Sequence, residues 1–179
     1  MSIVVTELGK IFHRSLFVAT DRTLLLDQLQ LLGQELGAFG QGQNLDFNLV
    51  APKEGPLPAL ISARLGIRGD HDFHWMVFGQ VLDDTQKESR GIESLASFCD
   101  SLWIVSDSRP SSLDKVLKFP WDLGALQKPT LFHVSESPSP ANLAFKATQS
   151  WYRQQWPHGL FVEKPDQLFP RGMEWILSF

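Results

Sequence analysis

"CDSLWIVSDSRPSSLDKVLKF", residues 99–119, reads as one continuous structural sentence. Leu102-Trp103-Ile104-Val105 is a short apolar run of strand length, bounded by polar residues on both sides. Ser106 to Ser112 is a polar knot. Ser111-x-x-Asp114 then has the pattern of a capping box, and the helix it opens stops at Pro120. A buried strand that enters a helix through a short polar turn is the repeating unit of α/β proteins. In their parallel sheets, such turns face the crevice where ligands bind. The residues leave two readings open. The turn holds a ligand, or it keeps the shape of a site that has been lost.

Working outward, the same unit recurs. Upstream, "SLFVA" (15–19) reads as a buried strand and 21–36 as a helix, with Leu25, Leu29, Leu32 and Leu36 on one face and Leu24 and Leu31 widening it. Thr20 or Asp21 suits its start and Gly37 its end. A second strand is expected over 45–52 and a short helix near 58–65, bracketed by Pro56, Pro58, Gly66 and Gly69. "DFHWMVFG" (72–79) is a third strand, and 85–99 a helix with Ile92, Leu95, Ala96 and Cys99 on one face. Downstream, 129–135 is a fifth strand and 140–154 a helix opened by Ser139 and Pro140. "GLFVEK" is a sixth strand, and "GMEWILSF" a terminal strand or helix. Strands that alternate with helices predict a three-layer α/β sandwich: a five- or six-stranded, mostly parallel sheet with helices on both faces, in one domain over 1–179.

Composition narrows the function classes. The 179 residues are 43% hydrophobic and 20% charged, with a formal net charge of −4, which argues against nucleic acid as the main partner. The single cysteine, Cys99, permits no disulfide framework and reads as a small core residue. The first residues lack the basic start and apolar core of a signal peptide, and no window approaches the roughly eighteen apolar residues of a membrane span. A cytoplasmic protein with no membrane partner is expected.

Several chemistries have no motif here. There is no G-x-x-x-x-G-K-[ST] loop to cradle phosphates, no G-x-G-x-x-G after the first strand, and no G-x-S-x-G elbow. Hydroxyls occupy the turns beyond the strands instead: Thr20 and Thr23 after the first, Ser106, Ser108, Ser111 and Ser112 after the fourth, Ser135, Ser137 and Ser139 after the fifth. Hydroxyls and helix-terminal amides can hold a phosphate, with Arg22 and Arg109 adding charge. They also cap helices and fill turns in any protein. Asp70, His71, Asp72 and His74 form a knot, but His71 and His74 on a strand point to opposite faces, so polar strand entry is the better reading than a metal site. Asp83-Asp84 reads as a solvated turn.

The central stretch, with "LQKPTLFHVSESPSP" after it, resembles the flavodoxin-like NADPH-dependent FMN reductases. In that register Cys99-Asp100 stands for the family's Ala-Asp, Ser106 for its turn threonine, and Ser112 for its serine. Val116-Leu117-Lys118 and Lys128-Pro129 match further on, while Arg109 stands where the flavin-stacking tyrosine would be. The resemblance implies FMN as cofactor, with Thr20, Thr23, Ser106, Ser108, Arg109 and Ser112 as binding residues. The stretch from His71 to Leu117 is also similar to MinD/ParA-type ATPases that lack their phosphate loop.

The expectation drawn from these readings is a non-catalytic α/β domain that acts through protein contacts or self-association, a degenerate relative of a nucleotide- or flavin-binding fold and without a cofactor. The alternative is an FMN-dependent NAD(P)H oxidoreductase. Four of the six tryptophans lie beyond position 120. Trp156, past the end of its helix, is expected to be an exposed interaction anchor with Arg153 beside it.

Overall fold

Apolar, β-branched and aromatic runs between turn-forming segments build the sheet, because such side chains fit a pleated, buried surface. The computed structural model describes residues 4–6, 10–39, 48–50, 59–68, 71–82, 86–121, 127–135 and 142–178. In chain order the elements are β1 (Val4–Thr6), β2 (Lys10–Ala19), α1 (Arg22–Phe39), β3 (Asn48–Val50), β4 (Ala59–Arg68) and β5 (His71–Val81). After these come α2 (Gln86–Phe98), β6 (Ser101–Ser106), α3 (Pro110–Lys118), β7 (Thr130–Val134), α4 (Leu143–Gln155), β8 (Leu160–Val162), a 3-10 turn (Pro165–Gln167) and α5 (Leu168–Leu177).

The strands form one eight-stranded sheet in the order β3-β4-β5-β2-β6-β7-β8, with β1 beside the start of β2. Five neighbours, β5-β2-β6-β7-β8, are parallel throughout. Numbered by chain position among themselves, they run 2-1-3-4-5, one of the two common doubly wound orders. The connection reverses direction between β2 and β6, and Phe17 lies opposite Trp103 there.

The fold is the expected α/β sandwich, with more antiparallel structure than the sequence reading supplied. β1 pairs with β2, and β3 and β4 extend the sheet beyond β5. The segment expected as a short helix near 58–65 is instead β4. Local helix propensity is a weak term, and here a ladder with β5 outweighs it: Leu60 lies opposite Phe78 and Ile61 opposite Val77. The register shifts between Arg64 and Gly66, where one residue is bulged out.

Strand alternation sends successive side chains to opposite faces. Phe17, Ala19, Trp75, Trp103 and Val105 meet Leu25, Leu29 and Leu32 of α1 and Met173 and Ile176 of α5. Leu16, Val18, Leu102, Ile104 and Phe132 meet α2, α3 and α4 through Ile92, Ala96, Val116, Phe145 and Tyr152. Gly172 permits the close approach of α5: a Cβ there would sit 2.3 Å from the Trp103 ring.

Helix starts depart from expectation in two places. Asn142, not Ser139, caps α4 by accepting from the Phe145 amide at 3.0 Å, while Ser139 and Pro140 lie outside the described residues. The Ser111 capping box does not form. Pro110 already occupies the first turn of α3, and Arg109 stands at the cap without a side-chain cap bond. Among the described residues no helix is long and apolar enough to cross a membrane.

Candidate functional site

β2 and β6 end side by side, tied by the Thr20 amide donating to the Val105 carbonyl at 3.2 Å. Chain reversal at this point opens a crevice above the strand ends, where doubly wound proteins place their ligands. A cavity of about 840 Å³ lies here, within the size range of small-molecule sites. Its wall comes from the start of α1 (Thr20 to Leu24, with Asp27 and Gln28), the β6–α3 turn (Asp107, Arg109), α3 (Ser111, Ser112, Lys115) and Ser135.

Of the residues expected to hold a cofactor, Thr20, Thr23, Arg109 and Ser112 do line this cavity, brought together from segments about ninety positions apart. Ser106 and Ser108 are not on its wall. Ser106 is fully buried and its hydroxyl donates to the Asp107 carbonyl at 2.9 Å. The Ser108 carbonyl accepts from the Asn142 side chain at 2.7 Å, joining this turn to α4.

The polar groups of the site are largely committed to one another. Asp21 is the cap of α1: its Oδ1 accepts from the Leu24 amide at 2.8 Å. Its Oδ2 accepts from Arg109 Nη2 at 3.2 Å. The Arg109 Nε donates to Asp107 Oδ2 at 2.8 Å, with Nη2 on the same oxygen, and the Arg109 amide donates to Asp107 Oδ1 at 2.9 Å. Burial works to raise the Asp107 carboxyl. The hydrogen bonds from the Arg109 side chain and amide and from Ser112 outweigh it and hold the carboxyl below its ordinary range. Lys115 Nζ donates to the Thr20 carbonyl at 3.3 Å. By contrast the Thr20 hydroxyl, on a residue 1% exposed, has no hydrogen-bond partner among the described residues.

Three of these residues were absent from the expected set. Asp21 enters the sequence reading only as a cap, Asp107 only as part of the polar knot, and Lys115 not at all. The signal was present in Asp21 and Asp107, each an acid one or two positions beyond a buried strand with an arginine close behind.

The expected interaction pair separates. Arg153 is exposed, but Trp156 is 4% exposed, so it is not a surface anchor. Its amide closes α4 on the Tyr152 carbonyl at 2.8 Å, and the next turn bonds Gly159 N to Trp156 O at 2.9 Å. This folds the indole inward against Trp121, Trp151 and Tyr152, at ring distances of 5.4–5.7 Å.

At the opposite end of the strands lies a polar network no motif announced. Trp75 Nε1 donates to Ser15 Oγ at 2.8 Å, Ser15 meets Ser101 at 2.8 Å, and Ser101 Oγ is 3.0 Å from His13 Nε2. A serine beside a histidine suggests a nucleophile, and the surroundings argue otherwise. Ser101 is fully buried, and Asp100 accepts from the Arg14 amide and guanidinium rather than orienting His13. Burial lowers the His13 pKa to about 4. The network is a register lock between β2, β5 and β6.

Cys99 is buried, and burial pushes its thiol up to about 12, far from a reactive thiolate. His71, Asp72 and His74 lie along β5, whereas Asp70, Asp83 and Asp84 fall outside the described residues. Among the described residues no three His, Cys, Asp or Glu side chains gather as a metal site. Compared with family models and with curated proteins, the chain matches none.

Proposed function

We propose that this chain is a non-catalytic α/β domain that acts through protein contacts, a relative of nucleotide- or flavin-binding folds whose phosphate position is taken by its own carboxylate. One observation carries the reading. In a phosphate-binding α/β domain, the start of the first helix presents free amides and partial positive charge to an anion. Here that place belongs to Asp21, which caps the Leu24 amide and takes Arg109 as its counterion. A phosphate would have to displace a carboxylate that is already hydrogen-bonded and ion-paired, and would meet the repulsion of Asp107 beside it. The 2-1-3-4-5 order of the parallel strands supports the proposed ancestry.

A second reading has its own support. The Thr20 hydroxyl, without a hydrogen-bond partner among the described residues, and the size of the cavity favour an FMN-dependent oxidoreductase with the flavin phosphate near Thr20 and Thr23. Ser106, the third expected contact, is spent on a backbone carbonyl. One experiment separates the two. The purified chain is scanned for flavin absorbance and titrated calorimetrically with FMN, with Mg-ATP and with inorganic phosphate. The expected outcome is a colourless protein with no binding tighter than about 100 μM. A yellow sample, or micromolar FMN affinity, overturns the non-catalytic reading in favour of the second.

A further inference from the structure

With Trp156 inside the core, contact through another protein requires a different surface, and the α1–α5 face offers one. A groove of about 210 Å³ runs between them. Leu32 and Leu168, 4% and 5% exposed, form its floor, and Leu31, Phe169 and Pro170 its sides. Leu31 is 40% exposed, one of three large hydrophobic side chains so exposed among the described residues. Among the described residues, the only charged ones on the wall are Glu35 and Asp166, both exposed and both acidic, and neither forms a salt bridge with a described residue. Arg171 is next to Pro170 in the chain but does not line the groove. Gln28 closes one end, its Oε1 buried without a hydrogen-bond partner among the described residues.

These features select one kind of occupant. A cavity of roughly 150 Å³ accepts a benzene ring, so this groove has room for one aromatic or large aliphatic side chain. Interfaces concentrate their energy in such single anchors set in desolvated pockets. The two acidic residues favour cations on either side of the anchor, and exposed pairs of this kind add modest, salt-screened attraction. We infer that the α1–α5 groove is the docking site for a partner segment that presents one apolar anchor flanked by lysine or arginine. This inference rests on the protein-contact reading above and deepens it.

The probe is an amidated peptide with one phenylalanine between two pairs of lysines, titrated into the full chain and monitored by amide chemical shifts. The expected result is saturable movement at Leu31, Glu35 and Phe169, with a Kd on the order of 1 mM or tighter. The double variant Glu35→Gln with Asp166→Asn, whose sites are exposed and so leave folding intact, weakens binding by about fivefold. A matched peptide with glutamates in place of lysines moves nothing. No shifts at the groove with millimolar lysine peptide, or equal shifts with the glutamate peptide, overturn the proposal. Phe98 is half-exposed and carries the Arg14 guanidinium 4.4 Å above its ring, so a second copy is the rival occupant. Concentration-dependent self-association that Phe98→Ala abolishes, and that the lysine peptide competes away, assigns the groove to a second copy instead. Flavin binding at the strand ends leaves these outcomes unchanged, so the two readings fail separately.

Discussion

At the scale of single residues, the decisive atom is a carboxylate oxygen. Asp21 does two jobs, capping α1 and pairing with Arg109, and substitution can separate them. Asparagine keeps a side-chain oxygen for the Leu24 amide but loses the charge, whereas alanine loses both. Asp21→Ala is therefore expected to cost about 0.5–2 kcal/mol, the usual value of a cap. Asp21→Asn should cost under about 1 kcal/mol, because Arg109 is well exposed and the pair is screened. Urea denaturation of both variants checks this, and equal losses would show that the charge, not the cap, matters at this position. Legibility of the site divides in the same way. Hydroxyls after the first, fourth and fifth strands were visible in sequence, and four of the six chosen residues do meet at the cavity. Which of them reach the cavity is decided by how distant segments come together, as where Asn142 ties the Ser108 carbonyl to α4, so the sequence alone is silent on it.

Elements were legible where one local pattern sufficed. The leucines of α1 recur at helical spacing, and three of them, Leu25, Leu29 and Leu32, are buried as that pattern demands. Leu31 belongs to the same apolar stripe, yet it faces the groove and stays partly exposed. Leu29→Ala is accordingly expected to cost about 2–5 kcal/mol, and Leu31→Ala under about 1 kcal/mol, measured as shifts in unfolding midpoint. Similar losses at both positions would put the helix register in error. β4 was missed although Ile61, Ala63, Leu65 and Ile67 alternate with Ser62, Arg64, Gly66 and Arg68 at strand period, because the flanking prolines and glycines read as the brackets of a short helix. Trp156 failed likewise, because helix periodicity ends before it and tertiary contact decides where its ring goes. With its indole packed on three aromatic neighbours, Trp156→Ala should cost about 3–5 kcal/mol. Analytical ultracentrifugation should show its association state unchanged. A stable variant with altered association would return this residue to the surface.

For the whole molecule, the buried histidines set the response to acid. His133 lies in the central sheet, fully buried, with Nδ1 3.1 Å from the Val162 carbonyl. A carbonyl only accepts, so Nδ1 carries the hydrogen and Nε2 is a bare lone pair, buried without a hydrogen-bond partner among the described residues. Protonating it would bury an uncompensated cation. Burial lowers the pKa of His133 to about 4, as it does for His13 at the far end of the sheet. In the unfolded chain both return to about 6.5. Between those values the unfolded state binds more protons than the folded one, so stability rises with pH across this window. It is fully present above about 6.5 and is lost progressively as pH falls toward 4, by up to about 3 kcal/mol for each histidine. Below that, the depressed Asp107 carboxyl begins to titrate and its contribution is lost in turn. The measurement is the urea midpoint at pH 7.0, 5.5 and 4.5 in the wild type and in His133→Gln, which titrates nothing. The wild type should lose stability steeply across the series, and the variant, weaker at pH 7.0, should lose it more gently. Parallel slopes in the two proteins would remove His133 as a source of the acid response.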